Sequence, residues 1–390
     1  MAVFLLFSLS SFIREPKYHP SSKSAQTMRP AASFQNPTPT SEKKLEEGDF
    51  QAEPHWDFED EYRLEVGSPR TNCPDSVKVK AAQSYWLRER FLPNLTLFLD
   101  VEHFNLSEWN RLEHFKPPFG FMGLNYSMVR GVLEKFPPVS QQQLLLAARP
   151  QTGSLQCISC AVVGNGGILK KSQMGKQIDS HDYVFRVNGA LINGYEKDVG
   201  TRTSFYGFTM YSLIMSLHFL RNQGFHQMPR GKDIHYLHFL EGKRDFEFLE
   251  KMLRDQTVAK AIMEKSLRHY KYQPFSLDSY LLIHPDLLRY VKNRFLRSNI
   301  LDTIYWPLYR PSNGAFLLLT AIQLCDQVSA YGFITNDFHR FADHYYDPKW
   351  KKMKFYSNHD FILEKRLWKQ LHNEGIIWLY QGPKAITSHN

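Results

Sequence analysis

Short apolar runs rich in β-branched and aromatic residues alternate with helical stretches through the second half of this 390-residue chain. That alternation limits the fold more than any other feature of the sequence. Strands are expected at Cys157–Val163, Asp182–Val187, Thr203–Tyr206, Ile234–Phe239, Tyr280–Ile283, Val328–Phe333 and Ile376–Tyr380. Helices are expected at Tyr211–Leu220, Phe246–Leu253, Gly314–Cys325 and Phe361–Leu371. Another opens at Pro285, with Leu287, Leu288, Val291 and Phe295 on one face. Strand–helix–strand order of this kind implies an α/β domain built on a largely parallel sheet. Ligands of such sheets bind at the carboxyl ends of the strands. The functional residues are therefore expected in the loops that follow them.

From Trp56 to Gln381 the aromatic density stays high, and 43% of the whole chain is hydrophobic, which suits a packed core. Arg14 to about Gln51 is poor in large apolar residues, is punctuated by Pro16, Pro20, Pro30, Pro37 and Pro39, and reads as a flexible linker. Met1–Ile13 is apolar. It is shorter than the roughly 20 residues a spanning helix needs, and it lacks the basic start and small-residue cleavage site of a signal peptide. It is either a frayed terminus or the end of a signal anchor. The net charge of +9 suits an acidic partner such as a small substrate bearing phosphate and carboxylate. Lys170-Lys171 and Lys349–Lys354 are too short, and too little interleaved with aromatics, to indicate a nucleic-acid track.

Cys73, Cys157, Cys160 and Cys325 allow three disulfide pairings. Cys157-x-x-Cys160 has no second ligand pair to complete a zinc site. Three sequons, at Asn94, Asn105 and Asn125, favour a secretory lumen and mark candidate N-glycosylation sites. In that compartment the cysteines would be oxidised.

Three motifs have chemical potential. Val162-Val163-Gly164-Asn165-Gly166-Gly167 carries a strand into a glycine turn able to approach a phosphate or ribose closely. Leu169 breaks the dinucleotide fingerprint, and no Walker lysine follows. Pro311-Ser312-Asn313-Gly314 opens an apolar helix whose N-terminus is a natural anion site. His344 and His359, the latter followed by Asp360 and Glu364, lie downstream of the strand at Val328–Phe333 and supply the residue type most used as a general base near neutral pH. No D-x-D pair is present to hold a cation on a diphosphate.

Taken together, these stretches resemble a known family. Cys160–Ile168, Ile178–Asn188 and Asp198–Thr203 resemble the long sialylmotif of animal sialyltransferases. Pro311–Ala315 through Cys325–Phe333 resembles the short motif, His344-Tyr345-Tyr346-Asp347 motif III, and His359 with Glu364 the very short motif. The stretches Glu53–Glu59, Phe91–Asp100, Gln142–Ala147 and Asp326–Thr335 are similar to the branch that builds α2,6 linkages onto protein-linked GalNAc, its type I members above all.

The resemblance implies a Rossmann-like, mostly parallel twisted sheet flanked by helices, a GT-A-like variant that works without metal. It implies a remnant of a signal anchor at 1–13, a stem at 14–52 and a lumenal catalytic domain at 53–390, in a single-pass type II protein of the Golgi membrane. The donor would be CMP-sialic acid, and the acceptor GalNAc O-linked to Ser or Thr of a mucin-type glycoprotein. By motif, His359 is the catalytic base and His344 a donor to the phosphate. Asn165, Asn188, Ser312, Asn313 and Gly314 hold the CMP portion, though the family more often has Ser or Thr where Asn313 stands. Cys160 pairs with Cys325, and Cys73 with Cys157. The competing readings are a Rossmann-type oxidoreductase and a secreted glycan-binding module that has lost catalysis.

Overall fold

The structure, a computed structural model, describes residues 45–67, 71–148, 157–254 and 276–383. Its centre is one seven-stranded sheet: β1 (Ser159–Val163), β2 (Tyr183–Val187), β3 (Phe205–Phe208), β4 (His235–His238), β5 (Tyr280–Leu282), β6 (Gln327–Tyr331) and β7 (Trp378–Leu379). The spatial order is β5-β4-β3-β2-β1-β6-β7, and every neighbouring pair is parallel. All seven expected strands are present. The run at Thr203–Tyr206 moves forward to Phe205–Phe208, that at Val328–Phe333 moves back to Gln327–Tyr331, and the others are trimmed at one or both ends.

The chain adds β2 to β5 on one side of β1 and then crosses to place β6 and β7 on the other. The order therefore reverses at β1, and the crevice at the carboxyl ends of β1 and β6 is where a ligand is expected in such a sheet. β1 is hydrogen-bonded on both sides, with Cys160 in register with Tyr183 and Val328. Val162, Val184 and Ala330 are fully buried there.

The helices follow in chain order: α1 (Val77–Gln83), α2 (Leu106–Leu112), α3 (Tyr126–Leu133), α4 (Leu144–Ala147), α5 (Gly175–Asp179), α6 (Glu196–Val199), α7 (Met210–Phe219), α8 (Lys243–Arg254), α9 (Pro285–Tyr290), α10 (Asn313–Leu324) and α11 (Phe361–Asn373). α10 is apolar all round, and every residue in it except Gly314 is buried. A helix with no polar face belongs inside a domain, and α10 lies against β1, β2, β3 and β6. The sequence reading had α9 running on through Phe295. Instead the helix widens to a π turn over Val291–Phe295, with the Leu296 N–H donating to the Val291 carbonyl. From that turn Asn293 Nδ2 donates to the Glu59 carbonyl and Arg294 pairs with Asp60.

Both disulfides implied by the resemblance are present. Cys160 of β1 is joined to Cys325 at the end of α10, and Cys73 to Cys157. They close loops of 165 and 84 residues, so both restrict the unfolded chain strongly. Ahead of β1, α2 is tied to α9 by charge as well as by apolar packing. Asp286 is fully buried and takes Arg111 and Arg289 at 2.7 Å each. The Arg289 guanidinium sits 4.3 Å from the Phe115 ring centre and 4.7 Å from that of Tyr62. Glu108, His284 and Asp286 are the grouping of potential metal ligands among the described residues, but Arg111 bonds both carboxylates.

Asn105 and Asn125 are exposed N-caps of α2 and α3, each accepting a backbone N–H through Oδ1. Asn94 is partly buried and donates from Nδ2 to the Glu65 carbonyl, while its sequon partner Thr96 is fully buried. The expected anchor remnant 1–13 and stem residues 14–44 lie outside the described residues. Of the remaining stem, Glu47–Asp49 forms a 3-10 turn and the Phe50 carbonyl accepts from Trp306 Nε1 at 3.3 Å. No described helix is long and apolar enough to cross a membrane.

Candidate active site

The glycine turn after β1 fits tightly against β6. The N–H groups of Gly164 and Gly166 donate to the carbonyls of Tyr331 and Gly332. A Cβ at Gly164 or Gly166 would lie 2.7 or 2.6 Å from the Gly332 oxygen, and one at Gly167 only 2.1 Å from that of Ala342. These glycines serve close backbone packing. The reading in which their N–H groups face a phosphate does not apply to Gly164 and Gly166, whose N–H groups are already used by β6.

The same packing brings motif III onto the turn. Gly166 forms an isolated β-bridge with His344, and the Tyr345 N–H donates to the Asn165 carbonyl at 3.1 Å. The His344 ring stacks on Tyr346, with centroids 4.9 Å apart and planes 9° from parallel. Its Nδ1 stands 3.6 Å from Asp347 Oδ2 and 3.7 Å from Asp343 Oδ2, and a third of the side chain is exposed. Asn165 donates from Nδ2 to the Val187 carbonyl at 3.1 Å, and its buried Oδ1 has no protein partner.

Asn188 ends β2 with φ +54°, a left-handed conformation that Asn tolerates better than most residues. Its N–H donates to the Gly207 carbonyl, and its Oδ1 accepts from Asn313 Nδ2 at 2.9 Å. Ser312 caps α10, accepting from the Ala315 N–H. Its own N–H and hydroxyl donate to Glu364 at 2.8 Å each. The side chains of Ser312 and Asn313 are thus engaged within the protein. What the start of α10 presents to a ligand is the first-turn N–H groups of Asn313 and Gly314, which an α-helix leaves unsatisfied.

His359 reaches this loop from the segment ahead of α11. Its Nδ1 is 2.8 Å from the Arg310 carbonyl, an acceptor only, so Nδ1 carries the proton and Nε2 the lone pair. Burial, reinforced by the Arg310 guanidinium, pushes the imidazole down to about 4, so it is neutral at physiological pH. Five residues on, burial drives the Glu364 carboxyl up to about 7 against the opposing hydrogen bonds from Ser312. Arg310 also pairs with Glu241 at 2.6 Å and donates to Asn313 Oδ1 at 2.9 Å.

The predicted residues therefore form one continuous set. His344 lies on the Gly166 turn, Asn165 is bonded to the end of β2, Asn188 follows it, and Asn313, Arg310 and His359 complete the chain of contacts. Arg310 and Glu241 were missed from sequence. The available signal was position: Glu241 follows β4, in the class of loop where function was expected, and Arg310 directly precedes Pro311-Ser312.

Residues 98–376 match the model of glycosyltransferase family 29 (sialyltransferase). The chain belongs to this family. It is 61% identical over 376 residues to the alpha-N-acetylgalactosaminide alpha-2,6-sialyltransferase 1 of Homo sapiens, covering 95% of this chain and 62% of that protein. To the protein of the same description from Mus musculus it is 59% identical, covering 94% and 70%. The sialyltransferase chain thus spans somewhat under two thirds of the human relative's length. Alpha-N-acetylgalactosaminide alpha-2,6-sialyltransferase 2 of Homo sapiens is 43% identical, covering 75% of this chain and 78% of its own. Among solved structures, a mammalian sialyltransferase in complex with Gal-beta-1-3GalNAc-ortho-nitrophenol shares the fold at TM-score 0.55 and 23% identity, covering 80% of this chain and 100% of that one.

Proposed function

We propose that this chain transfers sialic acid from CMP-sialic acid to the 6-hydroxyl of GalNAc O-linked to Ser or Thr. We further propose that it does so from residues 53–390, held in the Golgi lumen by an N-terminal anchor and stem. The observation that supports the transfer best is the meeting of both histidine loops with Asn165 and Asn188 at the carboxyl ends of the strands. The family and the acceptor named for the relatives at 61% and 59% identity favour the same reading over an oxidoreductase or an inactive glycan binder.

In this mechanism the bond from the anomeric carbon of sialic acid to the CMP phosphate breaks. A bond from the same carbon to the acceptor O6 forms on the opposite face, inverting the centre. The O6 proton passes to His359 Nε2, whose lone pair is fixed by the Nδ1–H bond to Arg310. A base of low pKa suits a proton that becomes acidic only as the new C–O bond forms. Charge growing on the departing phosphate is met by His344 and by the N–H groups at the start of α10. CMP leaves one phosphate, so protein donors suffice in this account and no metal is invoked. The reading is tested by incubating the protein with CMP-sialic acid and GalNAc-Ser/Thr peptides and analysing the product linkage. An α2,6-sialylated GalNAc peptide is expected. Absence of transfer, or transfer only to another hydroxyl, contradicts it.

A further inference from the structure

We infer that Glu241, Arg310 and Asn313 form a positioning relay that sets the Asn188 amide and the His359 imidazole together, so that donor binding and base action depend on one guanidinium. The inference rests on the reading of the site proposed above and gives Glu241, Arg310 and Asn313 a positioning task within it.

Arg310 is clamped on two sides. Its side chain reaches Glu241 Oε1 at 2.6 Å and Asn313 Oδ1 at 2.9 Å, and both members of the ion pair are mostly buried. Its main chain donates to the Asn358 carbonyl at 3.0 Å and accepts from His359 Nδ1 at 2.8 Å. One residue thus carries both the guanidinium that Glu241 and Asn313 hold and the carbonyl that fixes the His359 tautomer.

The same guanidinium orients Asn313. With Oδ1 facing a cation, the Asn313 amide can only point Nδ2 towards Asn188, and it does so at 2.9 Å. Asn188 Oδ1 is thereby used, which leaves its Nδ2 as the atom offered to a ligand. Asn313 thus acts through Asn188, which gives the residue that departs from the family's usual Ser or Thr a task of its own. A lysine at 310 cannot replace the fork, because one ammonium lacks the planar pair of donors that spans two acceptors.

The charged groups around His359 are the Arg310 guanidinium from the segment before α10, Glu241 from the loop after β4, and Asp360 and Glu364 on its own segment. Arg310 lowers the imidazole's basicity, while burial raises the Glu241 carboxyl against the pull of Arg310.

The experiment is steady-state transfer kinetics, with donor and acceptor varied separately across pH. Arg310→Gln is expected to move the acidic limb of the kcat profile upward by about one unit, because a cation beside the base is lost. It should also cut turnover about 10- to 100-fold, with no rescue in Arg310→Lys. Asn313→Ala is expected to raise the donor KM about tenfold, the loss of roughly one oriented hydrogen bond to an anionic ligand, while the acceptor KM stays within about twofold. Glu241→Gln should follow the donor pattern, and the Glu241→Gln/Arg310→Gln double variant should lose less than the product of the singles. If Arg310→Gln does not fold, the Glu241 and Asn313 variants still decide the matter. An unmoved acidic limb, or losses confined to the acceptor KM, would overturn the relay. Wild-type protein that transfers no sialic acid would instead sink the functional reading on which the relay rests.

Discussion

His344 and His359 stand fifteen residues apart in the chain, yet their surroundings are opposite in almost every respect. His344 is a third exposed, lies flat on Tyr346, and has carboxylates of Asp343 and Asp347 within 3.7 Å of Nδ1. His359 is half-buried, donates from Nδ1 to the Arg310 carbonyl, and has its basicity lowered by the Arg310 guanidinium as well as by burial. A flank that is cationic and largely shielded from water suits an imidazole that stays neutral and accepts a proton, as at His359. In the mechanism proposed above, the two surroundings correspond to two roles for one residue type.

The largest effect should come from removing His359. His359→Ala is expected to cut kcat about 10²- to 10⁴-fold, the usual value of a general base. CMP affinity, followed by titration calorimetry, should stay within about threefold. If CMP affinity falls as steeply as turnover, the two histidines do not have separate tasks. His344→Ala should have a smaller and different effect. Loss of a charge-assisted bond to phosphate is worth about 1.5–3 kcal/mol, so donor KM should rise roughly 10- to 100-fold, and CMP affinity should fall with it.

The pH profile sharpens the comparison further. His359 accepts a proton only when neutral, so turnover should hold from neutrality downward and fall as pH drops through about 4. Its basicity is lowered on folding, so its contribution to stability is full above its ordinary value near 6.5 and declines between there and about 4. Glu364 has the opposite sign. Its carboxyl is raised from 4.5 to about 7 by burial, so the stability it confers when protonated is present below 4.5 and lost as pH rises to about 7. Glu364→Gln should therefore gain on the wild type as pH rises from 5 to 8, by roughly 2–4 °C in Tm. A constant difference across that range would mean that Glu364 is not held protonated by its surroundings.

The sheet was legible because each strand is a short apolar run bounded by turn residues, and α10 because its apolar stretch is long enough to be a helix. The chain ahead of β1 was not assigned to elements. Its helices are short, and two of them begin at Asn105 and Asn125, residues that also read as sequons. One asparagine can be both, since capping uses Oδ1 and leaves Nδ2. The π turn after α9 was hidden because its cause is tertiary: Asn293 and Arg294 bond to residues 59 and 60, far away in sequence. In the candidate site, the two histidines and the three asparagines, Asn165, Asn188 and Asn313, were pointed to by motif resemblance. Arg310 and Glu241 were not, because an ion pair between residues 69 positions apart has no local pattern. The glycines of the long motif were found, but for the wrong neighbour: Gly164 and Gly166 face the backbone of Gly332.

The separate tasks of the two imidazoles can be seen directly in a crystal structure of the protein holding CMP and a GalNAc-Ser/Thr peptide. The nucleotide phosphate should lie within hydrogen-bond reach of the His344 ring, and the GalNAc O6 about 2.6–3.2 Å from His359 Nε2. A phosphate bound beside His359, or an O6 that reaches neither imidazole, would contradict the account.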